Sequence, residues 1–363
     1  MVKGSTVQEF SLTYNIREPD ITEFLMNAEK ARIYHHPAWL QCLYDAYGGK
    51  PFYVLLKERG KIQGISPFIL FQKRSSKKKI ISLPFTNYSD FILPDNINLK
   101  MILDYVVSQL GPVSEFDLRM LSDEPLEEFS NENDFLVHII ELKPTLDETY
   151  KSFGRRSIRR FIKKADENNL TFRLGDSEKD LKIFYDLEVK LRRDIGLPPA
   201  PYHFFRSIWS NLKKLNMIFL PIVSINGEPI AASLVLYYKD RIYFEYTGLS
   251  KVHKELYGNH KIHWEMIKLA QDEYNVKYVD LGRASINHTS LIFFKENWNA
   301  IPYKVFQKRY PSHIKGNLFS NFNRVSFPLL KNINKKLPSS LIKLEGRFIY
   351  KYLKMLLFCC LFP

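Results

Sequence analysis

Three charged residues in the second half of the chain stand where side chains can do chemistry. Glu245 lies in the alternating run 241–247, which reads as a strand. A carboxylate there is a general base if it points into a cleft, or otherwise one half of an ion pair. Alternation puts Tyr243 on the same face and Tyr246 on the other. Arg283 follows the apolar strand 276–281 and Gly282. A strand-end guanidinium can grip a carboxylate or phosphate with two parallel bonds, or pair internally with Asp280 or Glu245. Lys295 sits in Phe294-Lys295-x-x-Trp298, a short segment between two strands. It reads as a site lysine or as a surface lysine on an amphipathic turn. His260, His263 and His288 lie nearby, and a lone histidine is more often ordinary than catalytic. No Ser-His-Asp or Cys-His grouping can be assembled, and no spacing suits a metal.

Two further segments suit anions. Leu256-Tyr257-Gly258-Asn259-His260-Lys261 opens a helix, whose first N–H groups and dipole attract phosphate. The same residues also read as a plain turn and cap. Residues 151–165 read as one amphipathic helix, with Ile158, Phe161, Ile162 and Ala165 on one face. Around them stand Lys151, Arg155, Arg156, Arg159, Arg160, Lys163 and Lys164, with no acid between. Such density suggests a phosphate contact to tRNA or a lipid-linked diphosphate; the alternative is a solvated helix face.

Local patterns say what must hold these residues. The first block, 1–145, reads as strand 7–16, a helix from His36-Pro37-Ala38-Trp39 to Gly48-Gly49, and a hairpin around Arg59-Gly60. Short strands 80–83 and 91–93, a helix 98–110 and strands 113–118 and 135–142 complete it. The second block, 146–312, begins beyond Pro144. It reads as strand 170–174, helices 179–193 and 202–215, then a meander 217–225, 229–238 and 241–247 turning at Asn226-Gly227-Glu228 and Lys239-Asp240. Helix 259–273, strand 276–281, short helix 291–296 and strand 301–307 close it.

The chain has 363 residues, enough for two domains, and its 45% apolar content excludes a disordered chain. Cys42, Cys359 and Cys360 offer no disulfide framework, and no apolar run follows Met1. A reducing, cytoplasmic setting is the expectation. Net charge is +14, but residues 301–363 carry 12 basic residues against the single acid Glu345. The first 300 residues hold 41 basic and 38 acidic ones, so the body is nearly neutral. A basic tail suggests an anionic partner, a membrane surface or nucleic acid. Residues 341–362 mix apolar residues with Lys343, Arg347, Lys351 and Lys354, too broken for a transmembrane helix. They read as an amphipathic helix in the membrane interface, or as a helix packed on the body.

The order of segments in the second block resembles a GNAT acyltransferase, and more specifically the FemAB-like branch, which doubles that fold. The resemblance rests on Arg155-Arg156-Ser157-Ile158-Arg159-Arg160, Asn226-Gly227-Glu228-Pro229-Ile230-Ala231-Ala232, Phe244-Glu245-Tyr246-Thr247-Gly248, Leu256-Tyr257-Gly258-Asn259, and Tyr278-Val279-Asp280-Leu281-Gly282-Arg283 followed by Phe294-Lys295-Glu296-Asn297-Trp298. It covers about residues 1–310. It implies an α+β chain of two GNAT-like domains, each a mixed, mostly antiparallel sheet flanked by helices; the basic amphipathic tail, 313–363, lies outside the family pattern. It implies amide formation: acyl-CoA is the donor in most GNAT enzymes, aminoacyl-tRNA in true Fem transferases. The acceptor is an amine on an envelope glycan or lipid-linked precursor. Lys295 would face the acceptor and stabilise the oxyanion, with Glu245 and Arg283 beside it. Leu256, Gly258, Asn259, His260 and Lys261 would hold the donor; Arg155, Arg159, Tyr243, Tyr246 and Trp298 would line the substrate. The glycine-rich CoA loop of GNAT enzymes is absent from 256–261, which leaves room for a larger phosphate-bearing donor. The first domain is expected only to shape the cleft. The tail would bring the enzyme to the inner membrane face. The rival without chemistry is a protein that binds anionic lipid or nucleic acid through helix 151–165 and the tail.

Overall fold

The computed structural model describes residues 8–72, 77–312 and 331–356. The N-terminal Met1–Ser5 segment, residues 313–330 of the tail and Cys359-Cys360 lie outside the described residues. Two compact units divide the chain. One comprises residues up to Asp134 together with a segment from Lys304; the other comprises Phe135–Tyr303 and the C-terminal segment.

The first unit contains β1 (Gln8–Thr13), α1 (Pro19–Asn27), α2 (Pro37–Tyr47), β2 (Lys50–Glu58), β3 (Lys61–Gln72), β4 (Lys78–Ile81), α3 (Leu99–Leu110) and β5 (Glu115–Met120). Strand β6 (Ser130–Glu141) follows in sequence but is paired mostly in the second unit. There come α4 (Leu146–Ser152), α5 (Arg160–Glu167), β7 (Thr171–Leu174), α6 (Glu178–Ile195), α7 (Tyr202–Lys213), β8 (Ile218–Phe219), β9 (Pro221–Ile225), β10 (Glu228–Tyr238), β11 (Arg241–Leu249), α8 (Gly258–Tyr274), β12 (Tyr278–Ser285) and α9 (Thr289–Asn297). Strand β13 (Ile301–Tyr310) then pairs with β5 of the first unit, and α10 (Ser339–Leu356) belongs to the second.

Strand pairing in the two units follows one plan. In the first unit β1, β2, β3 and β4 are antiparallel neighbours, β4 and β5 are parallel, and β5 and β13 are antiparallel. In the second, β7, β9, β10 and β11 are antiparallel neighbours, β11 and β12 are parallel, and β12 and β6 are antiparallel. The expected α+β class stands, with mixed, mostly antiparallel strand pairing in each unit. The compact units do not part at residue 145. Each takes its last strand from the other half of the sequence, because a strand's hydrogen-bond partner is set by sheet register and not by chain order.

Local chemistry explains the frame. The hairpins β2–β3 and β9–β10 turn at Arg59-Gly60 (φ 51 and 77) and Asn226-Gly227 (φ 49 and 83). Two successive positive φ values match the twist of paired strands. Helix α6 starts at a Ser177/Asp180 capping box and stops at Gly196, left-handed at φ 78. It crosses β11 at Gly248, where a Cβ would stand 2.5 Å from the Glu188 backbone N. Thr247-Gly248 is therefore a packing feature. Core residues Ile158, Ile162, Val235, Ile242, Phe244, Ile262 and Trp298 pack together in the second unit.

Residues 151–165 are not one helix. Helix α4 ends at Ser152, a π turn occupies Arg155–Arg159, and α5 follows. Phe153 plunges into the core and Gly154 breaks the helix. The Gly154 N–H donates to the Asn297 carbonyl at 2.9 Å, and Ser157 Oγ donates to Asn297 Oδ1 at 2.5 Å. The apolar pattern of Ile158, Phe161, Ile162 and Ala165 holds because all four lie beyond the break, in α5 or just before it. The 217–225 segment divides into β8 and β9, and 91–93 makes only one bridge, Ile92 to Ile65.

Candidate active site

The parallel strands β11 and β12 pair only at Arg241–Tyr278, Ile242–Val279 and Tyr243–Asp280. Beyond that point β11 follows β10 and β12 follows β6, so a notch opens between them. Two irregularities shape it. Register shifts by one residue where Leu234 faces Tyr246 and Val235 faces Phe244, which leaves Glu245 as the extra, bulged residue. On β12, register slips between Asp280 and Arg283 around Gly282, whose φ is 74.

Lys295 of α9 is 4% exposed and reaches this notch. Its Nζ donates to the Gly282 carbonyl at 2.8 Å and the Arg283 carbonyl at 3.1 Å. Both acceptors exist because the β12 irregularity turns these carbonyls out of the ladder. Burial pushes the Lys295 amine down to about 7; Asp280 opposes this, Arg283 adds to it, and Glu245 opposes it. A neutral amine spends both N–H groups on the two carbonyls and keeps its lone pair for a proton. Its ammonium form has a third N–H to give. That is the profile of an acid–base group near neutral pH.

The surroundings are equally buried. Asp280 is fully buried, and its Oδ1 accepts the Gly282 N–H at 2.7 Å. The Arg283 guanidinium lies 4.3 Å from the Phe135 ring centroid. His138 on β6 is 0% exposed, and neither ring nitrogen has a hydrogen-bond partner among the described residues. Burial pushes it down to about 4, helped by Lys295. His263 of α8 stacks on Phe244 at 4.1 Å and bonds the Asn259 carbonyl at 2.8 Å through Nδ1. Burial also holds it at about 4, against that bond and with Lys295. The imidazoles are thus neutral and leave Lys295 as the titrating group.

Helix α8 begins beside the notch. Tyr257 precedes it in the left-handed region at φ 59, and no side chain caps it. Gly258 is buried, and a Cβ there would lie 3.2 Å from the Ala231 Cβ. Asn259 Oδ1 is buried without a hydrogen-bond partner among the described residues. His260 packs edge-on to Phe161, and burial with His263 lowers it to about 3. Leu256 packs on the core rim.

The structure therefore gathers Lys295, Glu245, Arg283, Gly258, Asn259 and His260 in the second unit and separates other candidates from the notch. Lys261 binds Asp166 at 2.6 Å and Glu265 at 2.9 Å. Asp166 lines a separate groove of about 340 Å³ between α4, α5 and α8, floored by Tyr150 and Trp264. Three expected substrate-lining residues are corrected. Trp298 is 0% exposed against Phe153, His263 and Phe294. Tyr246 is buried against Phe204 and Phe205 of α7. Tyr243 is fully buried, and the Glu245 bulge breaks the alternation that placed the two on one face. Arg155 is exposed and Arg159 half-buried on the π turn, whose Asn297 anchor lies two residues from Lys295. His288 sits at the exposed start of α9. His138 escaped sequence reading, though a polar residue inside the apolar strand run 135–142 was a visible signal; Asp280 was read only as an ion-pair partner and Asn297 only as part of a motif.

Residues 152–296 match the family of acetyltransferase (GNAT) domains. At the level of sequence no curated protein matches the chain. Among solved structures, FemX superposes with a TM-score of 0.68 at 14% identity, over 82% of this chain and 96% of that one. A conserved protein of unknown function from Bacteroides thetaiotaomicron superposes with a TM-score of 0.52 at 8% identity, over 84% and 99% of the two chains. The segment that builds the notch thus matches the GNAT acetyltransferase domain in sequence, and the chain shares the fold of FemX over most of its length.

Proposed function

We propose that the chain is an N-acyltransferase that moves an acyl group from an acyl-CoA-type donor to an amine on a cell-envelope sugar or lipid-linked precursor. The observation that carries this reading is Lys295, buried at the β11/β12 notch with its amine near neutrality and two of its N–H positions already used. The uncapped start of α8 supplies N–H groups for donor phosphates. The acceptor amine attacks the thioester carbonyl, and a C–N bond forms. Lys295 takes the amine proton, and the resulting ammonium's third N–H stabilises the oxyanion. Collapse breaks the C–S bond, and the proton passes to the leaving thiolate. Glu245 and Asp280 favour the transient ammonium; Arg283 orients an anionic substrate group. Work at the inner face of the membrane, from the cytoplasm, suits such an acceptor.

Isothermal calorimetry with acetyl-CoA and a longer acyl-CoA tests the donor. Saturable binding is expected, and its absence with both overturns the acyl-CoA donor. One observation favours a second reading, aminoacyl-tRNA as donor: Arg155, Arg156, Arg160, Lys163 and Lys164 are all exposed on one basic segment. Activity abolished by ribonuclease would select that donor.

A further inference from the structure

Helix α10 carries two apolar faces where a packed surface helix needs one. The inner face is set by its seat on α6. Ile342 and Tyr350 are 0% and 1% exposed, and a Cβ on Gly346 would stand 2.2 Å from the Pro199 carbonyl oxygen. Lys343 Nζ bonds Asp186 Oδ1 on α6 at 2.9 Å, and Asn334 bonds Glu345 at 3.2 Å. These contacts fix the rotation of the helix about its axis. Positions 342, 346 and 350 then define one stripe, and 341, 344 and 348 the opposite one at 100° per residue. On that outer stripe Leu341, Leu344 and Phe348 are 49%, 58% and 62% exposed. Ile333 just before the helix is 47% exposed.

The charge around the stripe is of one sign. Lys331, Lys335, Lys336 and Arg347 are exposed. Glu345, the single acid after residue 300, is held by Asn334. Large aliphatics with a basic border match a helix lying in a lipid interface, apolar face in the acyl boundary and cations at the headgroups. A second copy of the chain is a poorer occupant, since pairing the stripe with itself would bring like charges together. Nucleic acid would use the cations but not the leucines. Among the described residues no helix is long and apolar enough to cross a membrane.

We propose that α10 is an interfacial anchor whose outer stripe, Leu341, Leu344 and Phe348, docks on a bilayer carrying anionic lipid. This holds whatever reaction the notch performs. The test is co-sedimentation of the full chain with phosphatidylcholine vesicles, with and without phosphatidylglycerol. Binding is expected only with phosphatidylglycerol and falls as salt is raised. L344E/F348E should reduce it at least about tenfold, and K335E/K336E about fivefold per cation, with circular dichroism unchanged because these side chains are exposed. If L344E/F348E fails to fold, F348W replaces it: its emission should be quenched by brominated lipid. Wild-type protein that ignores phosphatidylglycerol, unaltered binding by L344E/F348E, or no quenching of F348W overturns the proposal. A dimer in sedimentation velocity that L344E/F348E dissolves assigns the stripe to a second copy and equally overturns it.

Discussion

The two units repeat one strand plan, yet they differ at the place where their parallel strands part. In the second unit β11 and β12 separate beyond Tyr243 and Asp280 and leave a notch. In the first, the matching gap after Ile81 and Asp117 is stitched shut. The Ser82 N–H donates to the Asp117 carbonyl, the Arg119 N–H to Ser82 Oγ, and the Ser89 N–H to the Arg119 carbonyl. This plug carries Leu83 and Phe85 at φ 100 and 57, a strained backbone held by Phe85 stacking on Tyr47 and by Trp39 Nε1 donating to Thr86. The helices that follow differ in kind. Helix α3 is capped by Asn98, whose side chain accepts the Met101 N–H, whereas no side chain caps α8. Buried charge differs too. Arg309 of the first unit faces Asp117 and Glu132, and Gln307 also bonds Asp117. Lys295 of the second meets carbonyls, and burial drives it toward the neutral form. The two units thus share one strand plan, while open backbone and poorly compensated charge gather at the second unit's notch, the combination that marks a candidate functional site.

The largest expected effect breaks the contrast at its centre. Lys295→Met should lower kcat/KM by about 100- to 10,000-fold. In wild type, kcat/KM should rise with pH through about 7, as Lys295 loses its proton; the variant should lack that limb in a pH–rate profile. Stability carries the matching sign. The folded value lies below the ~10.4 of a free lysine, so the unfolded chain binds more protons between the two and stability rises with pH across that window. Thermal melts from neutral to alkaline pH should show this rise in wild type and a flatter curve in Lys295→Met.

Next in size, Asn259→Asp places a negative charge at the start of α8. A negative charge there suits the helix dipole but repels phosphate, so donor affinity in calorimetry should fall at least about tenfold while helicity stays. Donor binding unchanged by Asn259→Asp would move the phosphate site away from α8.

Gly154→Ala is expected to act at a smaller scale. The new Cβ would lie 2.4 Å from Ser157 Oγ and 2.8 Å from Asn297 Oδ1. Displacing Asn297 shifts the end of α9 that carries Lys295, and turnover should drop about tenfold, as sub-ångström misplacement at a reacting group does. Ser157→Ala in the same chain should restore part of it. The smallest effect is in the first unit. Asn98→Ala should cost about 1 kcal/mol of stability by denaturant titration and leave donor binding as it was. Lost binding there would mean that the capped helix is no passive copy.

Sequence patterning by itself determined the α+β class, the order of most elements, the GNAT resemblance and the basic tail. These follow from local quantities: period-two and period-3.6 apolar spacing, Asn-Gly turns and summed charge, each readable within a few residues. Arg283 was visible as a cation at the end of an apolar strand, Glu245 as an acid within one, Lys295 as a cation in a short segment between strands, and 256–261 as a helix start. Tertiary structure alone decided the rest. It exchanged the last strands of the two units, because ladder partners lie more than a hundred residues apart. It bulged β11 at Glu245, which undid the alternation used for Tyr243 and Tyr246. It buried Trp298, broke the basic helix at Gly154 and brought His138 to Lys295 from a strand 157 positions earlier in the chain. Whether a lysine is a surface cation or a near-neutral acid–base group depends on how much water the fold removes from it, and no local pattern encodes that.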